Sequence, residues 1–463
     1  MLKPARIVAR SPYSGKPVGE YEPMSPAEAR RAVEAADAAF RPWARRPLGV
    51  RSDRFRVLAD VLTGRADALA RIAALEMGKP VAQGRAEVLK CAWACRYFAD
   101  HAAFGLADEP VATEGDRSLV VYRPLGVILA IMPWNFPFWQ AFRFAVPALM
   151  AGNAMVLKHA SNVPGCARAI ETQFRDAGFP DGLVRALLIG AEDAQALIEH
   201  PFVRAVTLTG SSEAGAEVAA RAGRHLKKTV LELGGSDPYL VLEDADLDAA
   251  ADLCAEARLV NAGQSCVAAK RFIVVGPGRA AAFENLLAGR LCTRRLGDPL
   301  DPTTELGPLA RHDLRDAVHR QVEASRRAGA RLVLGGAFGD GPGAFYLPTV
   351  LGDVRPGMPA FDEEVFGPVA AVVPAADEAE AIWLANASRF GLGAAVLTRD
   401  LARGERIAAD ELEAGNAFVN LQVASDPRLP FGGVKDSGYG RELSIHGLRE
   451  FVNVKTVRVR PPA

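Results

Sequence analysis

The spacing of hydrophobic positions along this chain changes near residue 118, and the change separates two kinds of predicted structure. Before it, alanine-rich segments repeat an apolar residue every three or four positions, which predicts helices. These helices cover about residues 26–40, 50–65, 66–77 and 81–105. Ser25 precedes the first helix, with Pro26 and Glu28 in a capping-box arrangement. Residues 1–25 are turn-rich, and we interpret the helical region as a scaffold without evident chemistry.

Beyond residue 118, short apolar runs alternate with helical patterns. The first strands are predicted at about residues 119–122, 127–132, 154–158, 184–188 and 205–208. Strand, helix and strand at this spacing indicate a parallel sheet, and such a doubly wound domain binds nucleotides at the carboxyl ends of its strands. A second alternating region predicts a second domain of the same class. Its strands lie at about residues 239–242, 271–275, 331–334 and 370–374.

The predicted fold is therefore α/β, with two doubly wound domains and a small oligomerisation sheet. We expect the nucleotide-binding domain at residues 1–117 plus 127–229 and a catalytic domain at 230–420. The strand at about 451–459 lacks a nearby hairpin partner. We expect it to form a protruding sheet with the strand at 119–122 and this sheet to pair with another subunit, since an exposed edge is otherwise a liability. Residues 118–126 plus 445–463 are therefore the predicted oligomerisation segment. Residues 421–444 form a glycine-rich loop that returns to the first domain.

Composition narrows the class of protein further. At 463 residues the chain is too long for one hydrophobic core. Its 55 basic and 55 acidic residues balance, so there is no net positive potential to attract nucleic acid or an anionic membrane. Six cysteines show neither disulfide nor metal-site spacing, so no metal is expected. The N-terminus lacks the apolar run of a signal peptide, and no segment is long enough to span a bilayer. These features predict a cytoplasmic protein.

One cysteine lies in a segment suited to catalysis. Small and polar residues at 261–265 precede Cys266, and Gly263 allows the backbone to approach a ligand. A nucleophilic thiol needs such access and surroundings that favour the thiolate. A buried structural cysteine also fits these local features. The surrounding motifs decide between the two.

Three further motifs accompany the thiol. Glu232, in residues 231–235, follows a predicted strand 34 residues before Cys266, Asn135 lies between two prolines in residues 133–137, and residues 363–368 carry Glu364 and Phe366. With residues 75–80 and 430–442, these motifs resemble the aldehyde dehydrogenase superfamily along nearly the whole chain. Stretches at 157–160, 231–238 and 268–272 look closest to bacterial succinate semialdehyde dehydrogenases of the shorter, Sad type.

The resemblance implies a Rossmann-like NAD(P)-binding domain and a chemistry for three residues. The Cys266 thiolate adds to the aldehyde carbon and forms a thiohemiacetal. Asn135 and the backbone N–H of Cys266 stabilise its oxyanion, although Asn135 also fits as a helix-capping residue. After hydride transfer leaves a thioester, Glu232 activates the water that hydrolyses it. Members that pass the acyl group to coenzyme A lack this glutamate, so Glu232 favours hydrolysis.

The resemblance also implies the cofactor contacts, with NAD or NADP as cofactor. These cofactor-binding residues are Met132, Pro133, Trp134, Lys158, Ser161, Gly210, Ser211, Glu364 and Phe366. Lys158 is assigned to the adenosine ribose and Gly210 with Ser211 to the pyrophosphate, although an ordinary strand-to-helix turn also explains this glycine. Many NAD-preferring members carry a glutamate where Ser161 stands, so a 2′-phosphate meets no like charge and NADP should be tolerated.

The expected substrate is a semialdehyde, with succinate semialdehyde first. Arg143 follows the Asn135 loop where semialdehyde-oxidising members place an arginine, and a guanidinium suits a carboxylate; a salt bridge is its alternative role. Trp139, Ser265 and Ser425 complete the expected substrate site. Some such enzymes carry a second arginine where this chain has Val260. The expected assembly is a homodimer or homotetramer.

Two other functions remain open from the sequence. One is a dehydrogenase of broad aliphatic or aromatic aldehydes, which differs only in the substrate site. The other is a thiol hydrolase or acyltransferase without a cofactor, which needs a histidine partner for the thiol. Of seven histidines only His159 lies in the motifs, and the cofactor assignment places it beside the ribose.

Overall fold

The computed structural model describes residues 6–460, and its N-terminal part is a hairpin followed by four helices. The elements are β1 (Ile7–Arg10), β2 (Pro17–Tyr21), α1 (Pro26–Ala44), α2 (Leu48–Gly64), α3 (Ala66–Met77), α4 (Val81–Gly105), β3 (Glu109–Pro110) and β4 (Arg117–Pro124). Ser25 Oγ accepts the Glu28 N–H at 3.3 Å and Glu28 accepts the Ser25 N–H at 2.7 Å, so the capping box is confirmed. The turn-rich prediction missed the antiparallel β1–β2 pair, whose short strands carry no clear alternation.

The first α/β unit contains a six-stranded sheet of order β19-β9-β8-β5-β6-β7. Its consecutive elements are β5 (Val127–Met132), α5 (Trp139–Met150), β6 (Ala154–His159), α6 (Pro164–Asp176), β7 (Val184–Leu187), α7 (Ala191–Ile198), β8 (Val203–Thr209), α8 (Ser212–Arg224) and β9 (Lys228–Glu232). The strands from β5 to β9 pair in parallel, as predicted. The chain builds outward from β5 in both directions, which makes the β5–β8 crevice the switch point where ligands bind.

The second unit contains a seven-stranded sheet of order β12-β13-β14-β11-β10-β16-β17. Its elements are β10 (Pro238–Val241), α9 (Leu247–Leu259), β11 (Arg271–Val275), α10 (Arg279–Leu291), α11 (His312–Arg327), β12 (Arg331–Leu334), β13 (Thr349–Gly352), α12 (Pro359–Asp362), β14 (Val369–Ala375), α13 (Glu378–Asn386), β15 (Phe390–Gly391), β16 (Gly393–Leu397), α14 (Leu401–Arg406) and β17 (Asn416–Val419). Only β12 is antiparallel. The sequence reading missed β13, β16, β17 and α13, which are short and lack a clear period.

The C-terminal elements tie the units together. They are β18 (Val434–Lys435), β19 (Gly438–Tyr439), α15 (Ser444–Glu450) and β20 (Val452–Val459). Strand β19 joins the first sheet beside β9. Strand β20 pairs antiparallel with β4 along eight residues, which confirms the predicted pairing. The predicted domain boundaries stay a prediction, and residues 1–5 and 461–463 lie outside the described range.

Two large apolar cores lie beneath these sheets. One joins the N-terminal helices to the first sheet, and the other fills the second unit. Helix α5 is buried along all twelve residues, belongs to the first core and packs against α4. Over residues 6–460, no helix combines the length and apolar character needed to cross a bilayer.

Candidate active site

The carboxyl ends of the parallel strands bring several predicted residues to one edge of the first sheet. Strand β5 ends at Met132, and Lys158 is the second-last residue of β6. Strand β8 ends just before Gly210, and β9 ends at Glu232. The Gly210 N–H donates to the Glu232 carbonyl oxygen at 3.0 Å, which ties β8 to β9 at this edge. The sheet therefore places the candidate base and cofactor residues along a single crevice.

The cysteine segment has a constrained backbone. Asn261 and Ala262 both adopt left-handed conformations, with φ of 52° and 54°, which non-glycine residues seldom do. Gly263 follows at φ 77°, and a Cβ there would collide with the Gly367 carbonyl group. Gly263 is therefore required by close backbone approach as well as by its φ. This turn delivers Cys266 with its side chain partly exposed.

Two buried cations hold this segment in place. The Arg258 guanidinium donates to the carbonyl oxygens of Ala269, Gly263 and Gly367 at 2.7–2.8 Å. Lys270 Nζ donates to three carbonyl oxygens of residues 265, 266 and 268, at 2.8–3.2 Å. Burial lowers the pKa of Arg258 to about 9 and also lowers that of Lys270. Both charges are thus committed to fixing the loop, a role that the sequence reading missed.

Burial raises the pKa values of both Cys266 and Glu232. Burial raises the pKa of the Cys266 thiol to about 12, against the opposing positive charges of Arg143 and Lys270. Burial also raises the pKa of Glu232, whose two carboxyl oxygens accept no hydrogen bond from the described residues. A carboxyl group with a raised pKa takes up protons more readily near neutrality, which suits a general base.

Asn135 is hydrogen-bonded to the cysteine segment. Its side-chain Nδ2 donates to the Gln264 carbonyl oxygen at 3.1 Å, and Asn261 Nδ2 donates to the Asn135 carbonyl oxygen at 2.8 Å. An amide NH2 carries two hydrogens, so one remains for an oxyanion. Within the described part of the chain, the backbone N–H of Cys266 has no acceptor. The Asn135 loop and the cysteine loop are thus hydrogen-bonded to each other. The second Asn135 amide hydrogen and the Cys266 N–H remain free to donate to an oxyanion.

Arg143 is buried rather than exposed, and it forms an ion pair. Its Nε pairs with Glu442, its Nη2 lies 3.4 Å from Thr209 Oγ1, and the same Nη2 lies 4.0 Å from a Glu232 carboxyl oxygen. Although burial disfavours the charge, these two carboxylates hold the pKa of Arg143 above its ordinary value. The salt-bridge alternative is therefore realised in the core. Nη1 has no hydrogen-bond partner among the described residues, and Arg143 lines the inner cavity.

Two neighbouring cavities share wall residues, and the thiol lines the inner one. An inner chamber of about 110 Å³ is lined by the expected substrate residues together with Cys266. These residues are Trp139, Arg143, Ser265 and Ser425. An outer vestibule of about 580 Å³ continues toward the surface, and both share Val260, Trp139 and Lys90 on their walls. Small cavities that narrow toward a nucleophile favour a short substrate.

The adenosine side of the crevice fits a dinucleotide. Lys158 is half-buried, burial lowers its pKa, and none of the described residues offers its ammonium an acceptor. Ser211 caps α8 by accepting the Ala214 N–H at 3.3 Å, so the helix N-terminus stands beside Gly210 as a phosphate site requires. Ser161 is exposed in the turn after β6. An unpaired cation beside a small neutral residue suits a ribose or its 2′-phosphate.

The nicotinamide side involves the second unit. Glu364 Oε1 accepts the Gly235 N–H at 3.0 Å and lies 3.8 Å from Lys270 Nζ. Any side chain at Gly234 would meet the Glu364 carboxylate, so this glycine keeps the approach open. The Phe366 ring stands perpendicular to Trp134 with ring centres 5.8 Å apart. Pro133 and Trp134 lie in the loop that leaves β5, so this loop contacts the second unit through the Trp134–Phe366 pair.

His159 serves the structure of this loop. Its Nε2 lies 2.8 Å from the Pro137 carbonyl oxygen, and burial lowers its pKa to about 4, so the ring is neutral. It does not contact Cys266, which argues against the thiol hydrolase alternative. Among residues 6–460, no three His, Cys, Asp or Glu side chains are grouped closely enough to hold a metal ion.

Comparison with known proteins agrees with this geometry. The sequence model of the aldehyde dehydrogenase family matches residues 3–457. A Synechocystis sp. protein named as a probable NADP(+) succinate-semialdehyde dehydrogenase is 48% identical over 97% of this chain and 99% of its own. An Escherichia coli protein, named succinate semialdehyde dehydrogenase Sad with NAD(P)+, is 48% identical over 92% of both chains. The crystal structure of succinic semialdehyde dehydrogenase from Streptococcus pyogenes with NADP+ superposes with a TM-score of 0.95 at 36% identity, covering 98% of this chain and 100% of that one.

Proposed function

The chain belongs to the aldehyde dehydrogenase family, and we propose that it oxidises succinate semialdehyde to succinate with NADP or NAD. The observation that carries this proposal is the inner chamber, where Cys266 shares a small cavity with the cationic Arg143 and the hydroxyl of Ser425. Such a chamber accepts a short aldehyde whose other end is an anion. The names of the two relatives at 48% identity support the same substrate and both cofactors.

The proposed reaction begins with the loss of a proton from the buried thiol. That proton passes to water, assisted by Glu232, whose carboxyl oxygens accept no hydrogen bond from the described residues, and the thiolate adds to the aldehyde carbon. The second Asn135 amide hydrogen and the Cys266 N–H stabilise the oxyanion that forms. Lys158, Gly210, Ser211, Glu364 and Phe366, with the loop at 132–134 and Ser161, would hold the NAD(P) cofactor, which would supply the acceptor for the hydride.

The second half of the reaction releases the acid. The thioester at Cys266 is attacked by water, and Glu232 takes a proton from that water. Because Glu232 is buried, the raised pKa of its carboxyl group makes it a stronger base once it is ionised. The thiol leaves as the acid forms, and the chain returns to its starting state. No acceptor other than water is needed, so coenzyme A is not a substrate in this proposal.

Substrate comparison tests the function directly. Succinate semialdehyde and butyraldehyde have the same carbon chain and differ in the carboxylate, and reduced cofactor is followed by its absorbance with NADP and with NAD. We expect a higher kcat/KM for the semialdehyde and no turnover in Cys266→Ala, with Cys292→Ala, an exposed cysteine, as the matched control. A higher kcat/KM for butyraldehyde would replace this substrate with a broad aldehyde specificity. Turnover of thioesters without cofactor would instead support the hydrolase alternative.

The proposal extends to assembly and location. Strand β20 is the outer strand of its sheet, and Val454 and Val459 on it are 61% and 47% exposed. An exposed apolar edge strand favours pairing with a second copy, so we expect a homodimer or homotetramer. Sedimentation measures this directly, and a monomer at micromolar concentration would contradict it. A cytoplasmic location belongs to the same proposal, and fractionation of the native cells tests it.

A further inference from the structure

We propose that Lys90 is a specificity-determining residue that binds the carboxylate of the semialdehyde together with the Ser425 hydroxyl. The inference rests on the proposed function and adds a residue on α4, a helix to which the sequence reading assigned no chemistry. Lys90 lines both the inner chamber and the outer vestibule. It therefore stands at the point where the distal end of a short substrate lies when its aldehyde reaches Cys266.

The first argument is the position of the Lys90 ammonium. Its Nζ lies 3.0 Å from Ser425 Oγ and 4.5 Å from the centre of the Trp139 ring. The ammonium thus rests against an aromatic face and a hydroxyl, both on the chamber wall. Among residues 6–460 no carboxylate oxygen lies within 4.0 Å of it. A partly buried cation without an anionic partner has room for an anionic ligand.

The second argument is the count of hydrogen-bond donors. Ser425 Oγ accepts from Lys90 Nζ at 3.0 Å and from Trp139 Nε1 at 3.0 Å. Because both oxygen lone pairs are used, the hydroxyl hydrogen of Ser425 is left to donate. Lys90 spends one of its three N–H groups on Ser425 and keeps two. These unspent donors come from adjacent side chains on one wall, which matches the two oxygens of a carboxylate.

The third argument is the state of the nearby charges. Burial and the positive charge of Arg143 together lower the pKa of Lys90 to about 8, against the opposing effects of Cys91, Asp426 and Glu87. Glu87 is committed elsewhere: its Oε1 accepts two backbone N–H groups at the start of α5, and its Oε2 pairs with Lys79. Asp426 pairs with Arg428 at 2.6 Å. Lys90 is therefore left without a directly paired carboxylate among the described residues.

Arg143 differs from Lys90 in this respect. Glu442 and Glu232 already face the Arg143 guanidinium, which leaves only Nη1 for a substrate. A carboxylate arriving in the chamber gains less from a cation that is already paired than from one that is not. Lys90 thus supplies the larger part of the preference for an anionic aldehyde, and Arg143 is a second contact.

The test compares Lys90→Met, which keeps the length and removes the charge, with Lys90→Arg and the wild type. The measured quantity is the ratio of kcat/KM for succinate semialdehyde to that for butyraldehyde. We expect Lys90→Met to lower this ratio roughly ten- to hundredfold through KM, because a charged hydrogen bond is lost, and Lys90→Arg to restore part of it. Inhibition by succinate should weaken by a similar factor.

Arg96→Met is the matched control, because it removes a cation from the solvent side of the same helix, where Arg96 pairs with Asp60. Its ratio should equal that of the wild type. An unchanged ratio in Lys90→Met, or an equal loss for both aldehydes, would overturn the inference and make Lys90 a structural residue. If the wild type itself shows no preference for the semialdehyde, the proposed function fails instead, so the two failures are distinguishable.

Discussion

Replacing Arg143 by methionine should destabilise the protein in a pH-dependent way. Arg143 and Glu442 are both 2% exposed, and the change leaves the Glu442 carboxylate buried without its partner. An isolated buried carboxylate takes up a proton rather than remain charged. The cost of that neutralisation, relative to an ordinary glutamate pKa of about 4.3, is about 3.7 kcal/mol at pH 7 and about 1 kcal/mol at pH 5. These values are upper limits for the electrostatic part of the loss.

The sign follows from proton linkage. In Arg143→Met the pKa of folded Glu442 lies above its unfolded value, so the folded state binds more protons. The stability of the variant is then retained at acidic pH and falls as pH rises toward the folded pKa. Loss of packing, including the contact of the guanidinium with the Phe431 ring at 4.5 Å, is the same at each pH. The difference between variant and wild type should therefore grow by up to about 2.7 kcal/mol from pH 5 to pH 7.

The assay is urea unfolding at fixed protein concentration, at both pH values. The double variant Arg143→Met/Glu442→Gln removes both charges of this pair, so its stability loss should depend less on pH than that of Arg143→Met; the part that remains comes from Glu232. Arg56→Met, which removes an exposed cation paired with Asp53 and Asp100, should cost about 0–1 kcal/mol at either pH. A stability loss in Arg143→Met that is equal at pH 5 and pH 7 would refute the argument that Glu442 depends on this partner. In the double variant, the change in the kcat/KM ratio of succinate semialdehyde to butyraldehyde then measures how much the direct contact of Arg143 with the substrate contributes.

Three further predictions concern the reaction. Glu232→Gln should release about one equivalent of reduced cofactor per active site in a burst and then turn over slowly, because hydrolysis of the thioester loses its base. Absorbance after rapid mixing measures the burst, and a steady-state rate equal to that of the wild type would contradict this prediction. Lys158→Ala should weaken the binding of NADP more than that of NAD, since the 2′-phosphate loses the cation expected to bind it. Separate KM values for the two cofactors measure this, and equal changes would show that Lys158 does not bind the 2′-phosphate. The preference for succinate semialdehyde over butyraldehyde should fall as pH rises through about 8, where Lys90 loses its charge. The ratio of kcat/KM values on both sides of pH 8 measures this, and a constant ratio would contradict it.

The residues that carry the reaction could be found from sequence because each follows a local rule. Glu232 ends a predicted strand, and ligands gather at the carboxyl ends of parallel strands. Cys266 follows a run of small residues, and Asn135 lies in a loop fixed by two prolines. The resemblance supplied their roles, and the topology explains why strands so far apart in sequence meet at one edge. Short strands such as Thr349–Gly352 carry no such rule, because their burial is decided by the neighbours on which they pack.

The partners of these residues could not be found in the same way. Glu442 lies 299 positions from Arg143, and a sequence pattern gives no reason to join them. Lys90 has the appearance of an ordinary polar position in an alanine-rich helix. Only the packing of α4 against α5 turns it toward the chamber, where Ser425 arrives from 335 positions away. Helical periodicity predicts that a residue is polar, whereas its partner depends on which helix faces it.

The charges around the thiol also show why composition says little about such a site. Three cations lie near Cys266, yet each is in a different state. Lys270 is spent on three carbonyl oxygens of the cysteine loop, and Arg143 is balanced by two carboxylates. Lys90 alone has no anion among the described residues close enough to balance it. A substrate carboxylate therefore changes the field at Lys90 most, so the free energy that separates a semialdehyde from a neutral aldehyde is concentrated on the cation that folding leaves unpaired.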